Sequence, residues 1–281
     1  MAKIISFINL KGGVGKTTLV VTAAEILAYA YKKRVLVVDL DPQTNATVSL
    51  ISQEKWKDAN DNNKTIHQLF LDKVDKTSAF NIDKSIIKKV GNIAGGIKGL
   101  DLLPSSIDLV DMYDVIPSIK NSNFILKDQL KKVECNYDYI LIDCPPNLGA
   151  ITMSGIYISQ YYIIPVIADT LSTYGLKQVV NKIDKKVREI KRIDTDYSLA
   201  TMGVIINRYK DNKPYKAIRR ALELQSNNNE IPKLFNTIIP NRSNISKISD
   251  YEMKESTIKK KYGKDYDLVN NFVKEIMERC Q

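Results

Sequence analysis

The sequence predicts an α/β fold: a twisted, mostly parallel sheet with helices on both faces, in one domain spanning residues 1–281. Three observations predict it. Apolar runs rich in β-branched residues, such as Ile4–Ile8, Val35–Val38 and Ile140–Ile142, alternate with longer stretches of helical pattern. The first two runs flank one helix within about 35 residues, the span of a right-handed βαβ unit. At the first strand-to-helix junction lies Lys11-Gly12-Gly13-Val14-Gly15-Lys16-Thr17-Thr18, the layout of a phosphate-binding loop and hence of a P-loop NTPase fold.

Taken in order, Lys3–Asn9 reads as the first strand, and the helix after the loop runs to about Lys32. The loop has a direct physical logic. Glycines let the backbone turn its N–H groups toward phosphate oxygens, and the helix N-terminus adds its positive end. Lys16 would pair with the β- and γ-phosphates, and the Thr17 hydroxyl would ligate Mg²⁺. The loop departs from the strict pattern in one place, with Leu10 standing where the first glycine belongs, and it also carries a second lysine, Lys11. Arg34–Asp39 is the second strand. Asp39-Leu40-Asp41-Pro42-Gln43 sits at its carboxyl end, where open α/β sheets place ligands.

Residues 44–51 read as a short helix. The stretch 52–99 is polar and reads as a variable surface excursion with helical pieces at 65–71 and 85–90 and a loop at 91–99. Leu100–Leu103 is a short strand; helices are expected over 105–116 and 121–135. Tyr137–Asp143 is a strand ending in an acid and stopped by Cys144-Pro145-Pro146. Alone, Asp143 is equally a turn aspartate; with the glycine loop upstream it reads as a Walker B carboxylate that supports Mg²⁺. Tyr161–Ile167 and Leu199–Asn207 are further strands around a helix at 172–192, Phe235–Ile239 is a last short strand, and 264–279 holds a C-terminal helix.

Composition narrows the partners. Three cysteines far apart give neither a disulfide framework nor a metal pair, and the lone His67 excludes multi-histidine sites. No run has transmembrane length, and Met1-Ala2-Lys3 leads straight into the first strand without a signal peptide, so a cytoplasmic location is expected. The net charge is +10. Between Lys177 and Arg220 there are 13 Lys/Arg against 5 Asp/Glu. That excess suits a polyanionic partner or, more blandly, a set of solvated lysine-rich faces.

Three stretches together carry a resemblance: the glycine loop, Val35-Leu36-Val37-Val38-Asp39-Leu40-Asp41-Pro42-Gln43-Thr44-Asn45-Ala46-Thr47, and Ile140-Leu141-Ile142-Asp143-Cys144-Pro145-Pro146. In order and spacing they closely resemble the ParA/MinD family of deviant Walker ATPases, over roughly residues 1–248 and weakly across 52–99. The resemblance implies ATP and Mg²⁺ as cofactors and an ATP-sandwich homodimer. Lys11 matches the family lysine that reaches the partner protomer's phosphates, and Lys16 the P-loop lysine. Asp41 matches the residue that orients the attacking water. Lys11 and Gly12 to Thr18 would cradle phosphate, Thr17, Asp39 and Asp143 would support Mg²⁺, and Asn207, with Pro240 and Asn241, would meet the adenine.

Asp-Pro-Gln and the basic residues favour the ParA/Soj branch, and the acidic end of the chain differs from the membrane helix of MinD-like members. The resemblance then implies slow, partner-stimulated hydrolysis, non-specific binding to double-stranded DNA and a nucleoid location. A ParB-like partner would release the dimer in plasmid or chromosome segregation. Lys182, Lys185, Lys186, Arg188, Lys210, Lys213, Arg219, Arg220, Arg242 and Lys247 are the candidate DNA contacts. The alternatives are a nucleoid-based positioning ATPase for protein cargo and a MinD-like membrane-associated regulator.

Overall fold

A computed structural model describes residues 1–119, 122–241 and 255–280. Six strands form one sheet in the order β3-β2-β4-β1-β5-β6: β1 Lys3–Phe7, β2 Val35–Asp39, β3 Leu100–Leu103, β4 Tyr139–Asp143, β5 Tyr161–Ile167 and β6 Ala200–Asn207. Every pairing in the sheet is parallel. The expected seventh strand, 235–239, is replaced by isolated bridges: Val204 pairs with Leu234 and Tyr209 with Pro240. This segment hydrogen-bonds to β6 near both ends, through Phe235 N–H to Val204 O at 2.8 Å and Ile239 N–H to Ile206 O at 2.9 Å, without a continuous ladder.

Alternation along the strands sorts side chains between two cores. Ile4 and Ile8 enter one with Leu36, Val38, Ile140 and Ile142; Ile5 and Phe7 enter the other with Val35, Val37 and Leu141. Twelve α-helices cover the faces among the described residues: α1 Lys16–Tyr29, α2 Asn45–Leu50, α3 Gln53–Asp61, α4 Ile66–Asp75, α5 Ile82–Ser85, α6 Met112–Val115, α7 Ile125–Leu130, α8 Ala150–Ile158, α9 Thr170–Lys191, α10 Lys213–Asn227, α11 Ile258–Tyr262 and α12 Tyr266–Arg279. α1 is buried continuously from Leu19 to Ala28, which explains why it is apolar nearly all round. α12 places Val269, Phe272, Val273 and Ile276 in the same core. No described helix is long and apolar enough to cross a membrane.

Several elements differ from expectation. The helix expected over 105–116 is a 3₁₀ turn at Ile107–Asp111 followed by the single turn of α6, since Ser106 caps Asp108 and the segment has only local spacing to bury Leu109, Met112 and Ile116. The helix expected over 121–135 shortens to α7 with 3₁₀ turns at Ser122–Phe124 and Glu134–Asn136. In 85–90 there is no helix: α5 ends at Ser85, and Ile87 bridges antiparallel to Leu102. In 52–99 the polar faces are exposed, while Ile66, Leu69, Phe70, Ile82, Ile86, Val90, Ile93 and Ile97 are buried in the cores. α3, capped by the Ser52 side chain on Lys55 N–H, and α8 are helices beyond those expected.

Candidate functional site

β1 lies at the centre of the sheet, between β4 and β5, where consecutive connections leave in opposite directions. Such a switch point opens a crevice at the carboxyl ends of the strands. The loop after β1 fills it. Gly13 and Gly15 hold positive φ angles of 74° and 88°. A Cβ on Gly15 would lie 2.1 Å from Asn207 Nδ2, so no other residue fits there. Position 10 needs no glycine: Leu10 is outside the left-handed region and packs against the core beside α9.

Five expected residues converge here. Lys16, buried, donates to Asn9 O at 3.3 Å. The Thr17 hydroxyl donates to Asp143 Oδ2 at 2.6 Å across the β1–β4 junction. Asp39 and Asp143 are register partners on β2 and β4, both fully buried. Asp39 accepts from Asp41 N–H at 3.1 Å and from the Thr47 amide and hydroxyl at 2.9 and 2.7 Å. Asp41 accepts Gln43 N–H at 2.9 Å. Burial pushes the Asp39 carboxyl up to about 7, against the Thr47 and Asp41 hydrogen bonds and with help from the Asp41 charge. Asp143 is raised well above the ordinary range, first by burial and then by Asp39, while Thr17 and Lys16 oppose the shift.

The remaining expected residues are placed as follows. Gly12 is exposed, and Val14 is buried with its carbonyl accepting Asn207 Nδ2 at 2.8 Å. Thr18 is half-buried in the first turn of α1. Asn207 therefore braces the loop as well as facing it. Pro240 is half-buried and Asn241 exposed next to it, with Asn241 N–H on Tyr209 O at 2.8 Å. Lys11 projects toward Asp169 and pairs with it. Arg242 and Lys247 lie outside the described residues.

Whether these residues suit a magnesium nucleotide can be tested on three features. Asp143 Oδ1 is buried with no hydrogen-bond partner, as expected of an oxygen reserved for a cation's shell. α1 opens on Gly15 with no side-chain cap, leaving its first N–H groups for an anion. Thr17 donates its proton to Asp143 and keeps its lone pairs for a metal. The residues fit.

The basic residues gather on two neighbouring helices. α9 exposes Lys182, Lys185 and Arg188, and α10 packs beside it, exposing Lys213 and Arg220; Lys210 is exposed just before α10. Three of the candidates or their neighbours are engaged within their own segments: Lys186 with Glu189 at 2.9 Å, Lys216 with Asp211 at 2.9 Å and Arg219 with Glu223 at 2.7 Å. Sequence reasoning missed Asn9, whose side chain accepts Lys11 N–H at 2.9 Å and donates to Pro165 O at 2.6 Å. It also gave no role to Thr47 or Asp169. Thr47 stood inside the quoted second motif, eight residues beyond Asp39; nothing marked Asp169.

Comparison with known proteins fits this geometry. An AAA domain model matches residues 2–196. The chain is 35% identical over 247 residues to the sporulation initiation inhibitor protein Soj of Bacillus subtilis, covering 88% of this chain and 87% of that one. It is 30% identical to the chromosome-partitioning ATPase Soj of Treponema pallidum, covering 88% and 86%. A structure of a putative plasmid partition protein from Borrelia burgdorferi bound to AMPPNP shares the fold, with a TM-score of 0.75, 23% identity and 99% and 100% coverage. Cobyrinic acid a,c-diamide synthase from Mycobacterium smegmatis, solved with an ATP analogue and magnesium, gives a TM-score of 0.69 at 26% identity, over 90% and 92%. With the phosphate loop, the strand-end carboxylates and these relatives in agreement, the chain belongs to the AAA-domain P-loop ATPases, in the ParA/Soj family.

Proposed function

We propose that this ATPase is a DNA partition motor: ATP joins two protomers, the dimer binds duplex DNA non-specifically, and partner-stimulated hydrolysis releases it, segregating a plasmid or chromosome. One observation carries the nucleotide half of the reading, the pair of buried carboxylates beside Lys16 and Thr17 with Asp143 Oδ1 left unpartnered. Mg²⁺, when bound, would neutralise charge on the nucleotide's phosphates. Thr17 and Asp143 would hold it. Asp39, whose oxygens already accept three hydrogen bonds, fixes the turn that carries Asp41. Asp41 would orient the attacking water, and Lys11 would neutralise charge on the partner's γ-phosphoryl.

The adjacency of α9 and α10 supports the DNA half, because a row of lysines and arginines spaced along one face is what non-specific duplex binding requires. Retardation of duplex DNA with ATP, ADP or no nucleotide, across a salt series, tests it. Binding is expected with ATP alone, falling steeply with salt. Equal binding with ADP, or ATP-dependent binding to liposomes without DNA binding, overturns the reading.

A further inference from the structure

Lys11 is not poised outward in this protomer. Its backbone N–H is fixed on Asn9 Oδ1, and Asn9 is fixed in turn on Pro165 O, so the start of the loop and the end of β5 form one hydrogen-bonded unit. Asp169 lies on that same unit, immediately before α9, and its carboxylate takes the Lys11 ammonium in cis. Both side chains are partly open to solvent, 39% for Lys11 and 33% for Asp169. A pair in this setting forms and breaks without stranding a buried charge. Between the two elements runs a groove of about 250 Å³ lined by Asn9, Leu10, Lys11, Leu176, Val179 and Lys182.

A lysine is a single point charge on a flexible stem. While it sits on Asp169 it is absent from any phosphate across a dimer interface. We propose that Asp169 is a positioning residue that holds Lys11 in cis within its own protomer and thereby sets the nucleotide concentration at which two protomers join. This rests on the reading of Lys11 as a residue that acts in trans. Each protomer must release its own lysine, so the fraction of protomers with Lys11 free enters the dimerisation equilibrium twice. Because Asp169 is the residue before α9, release also removes the ion pair at the root of the basic helix.

The test is the mass of the full-length protein by sedimentation as a non-hydrolysable ATP analogue is titrated with Mg²⁺. Asp169→Asn should dimerise at an analogue concentration at least about twofold lower than the wild type, the effect expected of one exposed pair of ordinary strength per nucleotide bound. Its ADP affinity as a monomer should not move, which a structural distortion of the phosphate loop would not allow. Asp169→Glu should restore the wild-type midpoint. Lys11→Ala with Asp169→Asn should match Lys11→Ala alone. An unchanged or higher midpoint for Asp169→Asn overturns the proposal; if that variant is misfolded by circular dichroism, Asp169→Ser is judged by the same criterion. A wild type that stays monomeric at saturating analogue overturns the trans role of Lys11 itself.

Discussion

Asp39 and Asp143 place two carboxylates at facing strand ends, inside protein, with one lysine nearby. Without a cation that arrangement costs stability, and the direction of its pH dependence follows. An unfolded Asp carboxyl ionises near 3.8, whereas burial pushes Asp39 up to about 7 and raises Asp143 as well. Between those limits the native state binds more protons than the unfolded one, so stability falls as pH rises. The nucleotide-free protein should therefore unfold at progressively lower temperature as pH rises from 4 through 7. Asp143→Asn should flatten that slope and add about 1–3 kcal/mol at pH 8, read by denaturant melts. A slope of opposite sign would refute the assignment.

Helices α9 and α10 show what an element adds to a list of charged residues. Thirteen basic residues lie between Lys177 and Arg220, yet the structure separates those committed to ion pairs from those that are not. Lys186 and Arg219 hold a carboxylate on their own helix; Lys182, Lys185 and Arg188 have no ion pair among the described residues. Each phosphate contact contributes about 0.9 to the slope of log binding against log salt. Replacing Lys182, Lys185 and Arg188 by Ala should lower that slope by about 2–3. The double replacement of Lys186 and Arg219 should change it by less than 1, measured by fluorescence anisotropy on duplex DNA with ATP. The reverse ranking would place the DNA face elsewhere.

Across the whole molecule, the helix that follows the phosphate loop is tied to the far end of the chain. Glu25, fully buried on α1, accepts both Lys261 Nζ, at 2.7 and 2.9 Å, and the Tyr262 hydroxyl at 2.8 Å from α11. The Lys261 side chain is only 5% exposed. A buried pair broken from one side leaves an uncompensated charge, at a cost of about 3–5 kcal/mol. Lys261→Met should destabilise by that amount in urea melts. Glu25→Gln with Lys261→Met should recover part of it. Recovery in the double variant is the outcome that separates lost compensation from lost packing.

The nucleotide half of the site was legible because its chemistry is local. A strand, a glycine turn and Lys-Thr at a helix start dictate a phosphate cradle within eight consecutive residues, and a run of apolar residues ending in Asp marks a strand tip whatever surrounds it. β1, β2 and β4 followed from the same runs, each buried on both faces as parallel strands are. The 3₁₀ turns at 107–111, the missing seventh strand and the burial of 66–97 were not legible, because each depends on which surface the segment meets rather than on its own period. So it is with the pairings that tune the site. Register alone sets Asp39 against Asp143, and the β5–α9 junction alone brings Asp169 to Lys11 from 158 residues away. Sequence by itself determined the apolar strand runs, the glycine loop and the acids that end β2 and β4, and so the candidates for a magnesium nucleotide. Tertiary structure decided where each lysine rests and which oxygen is left without a partner, since those depend on distances that only the packed sheet sets.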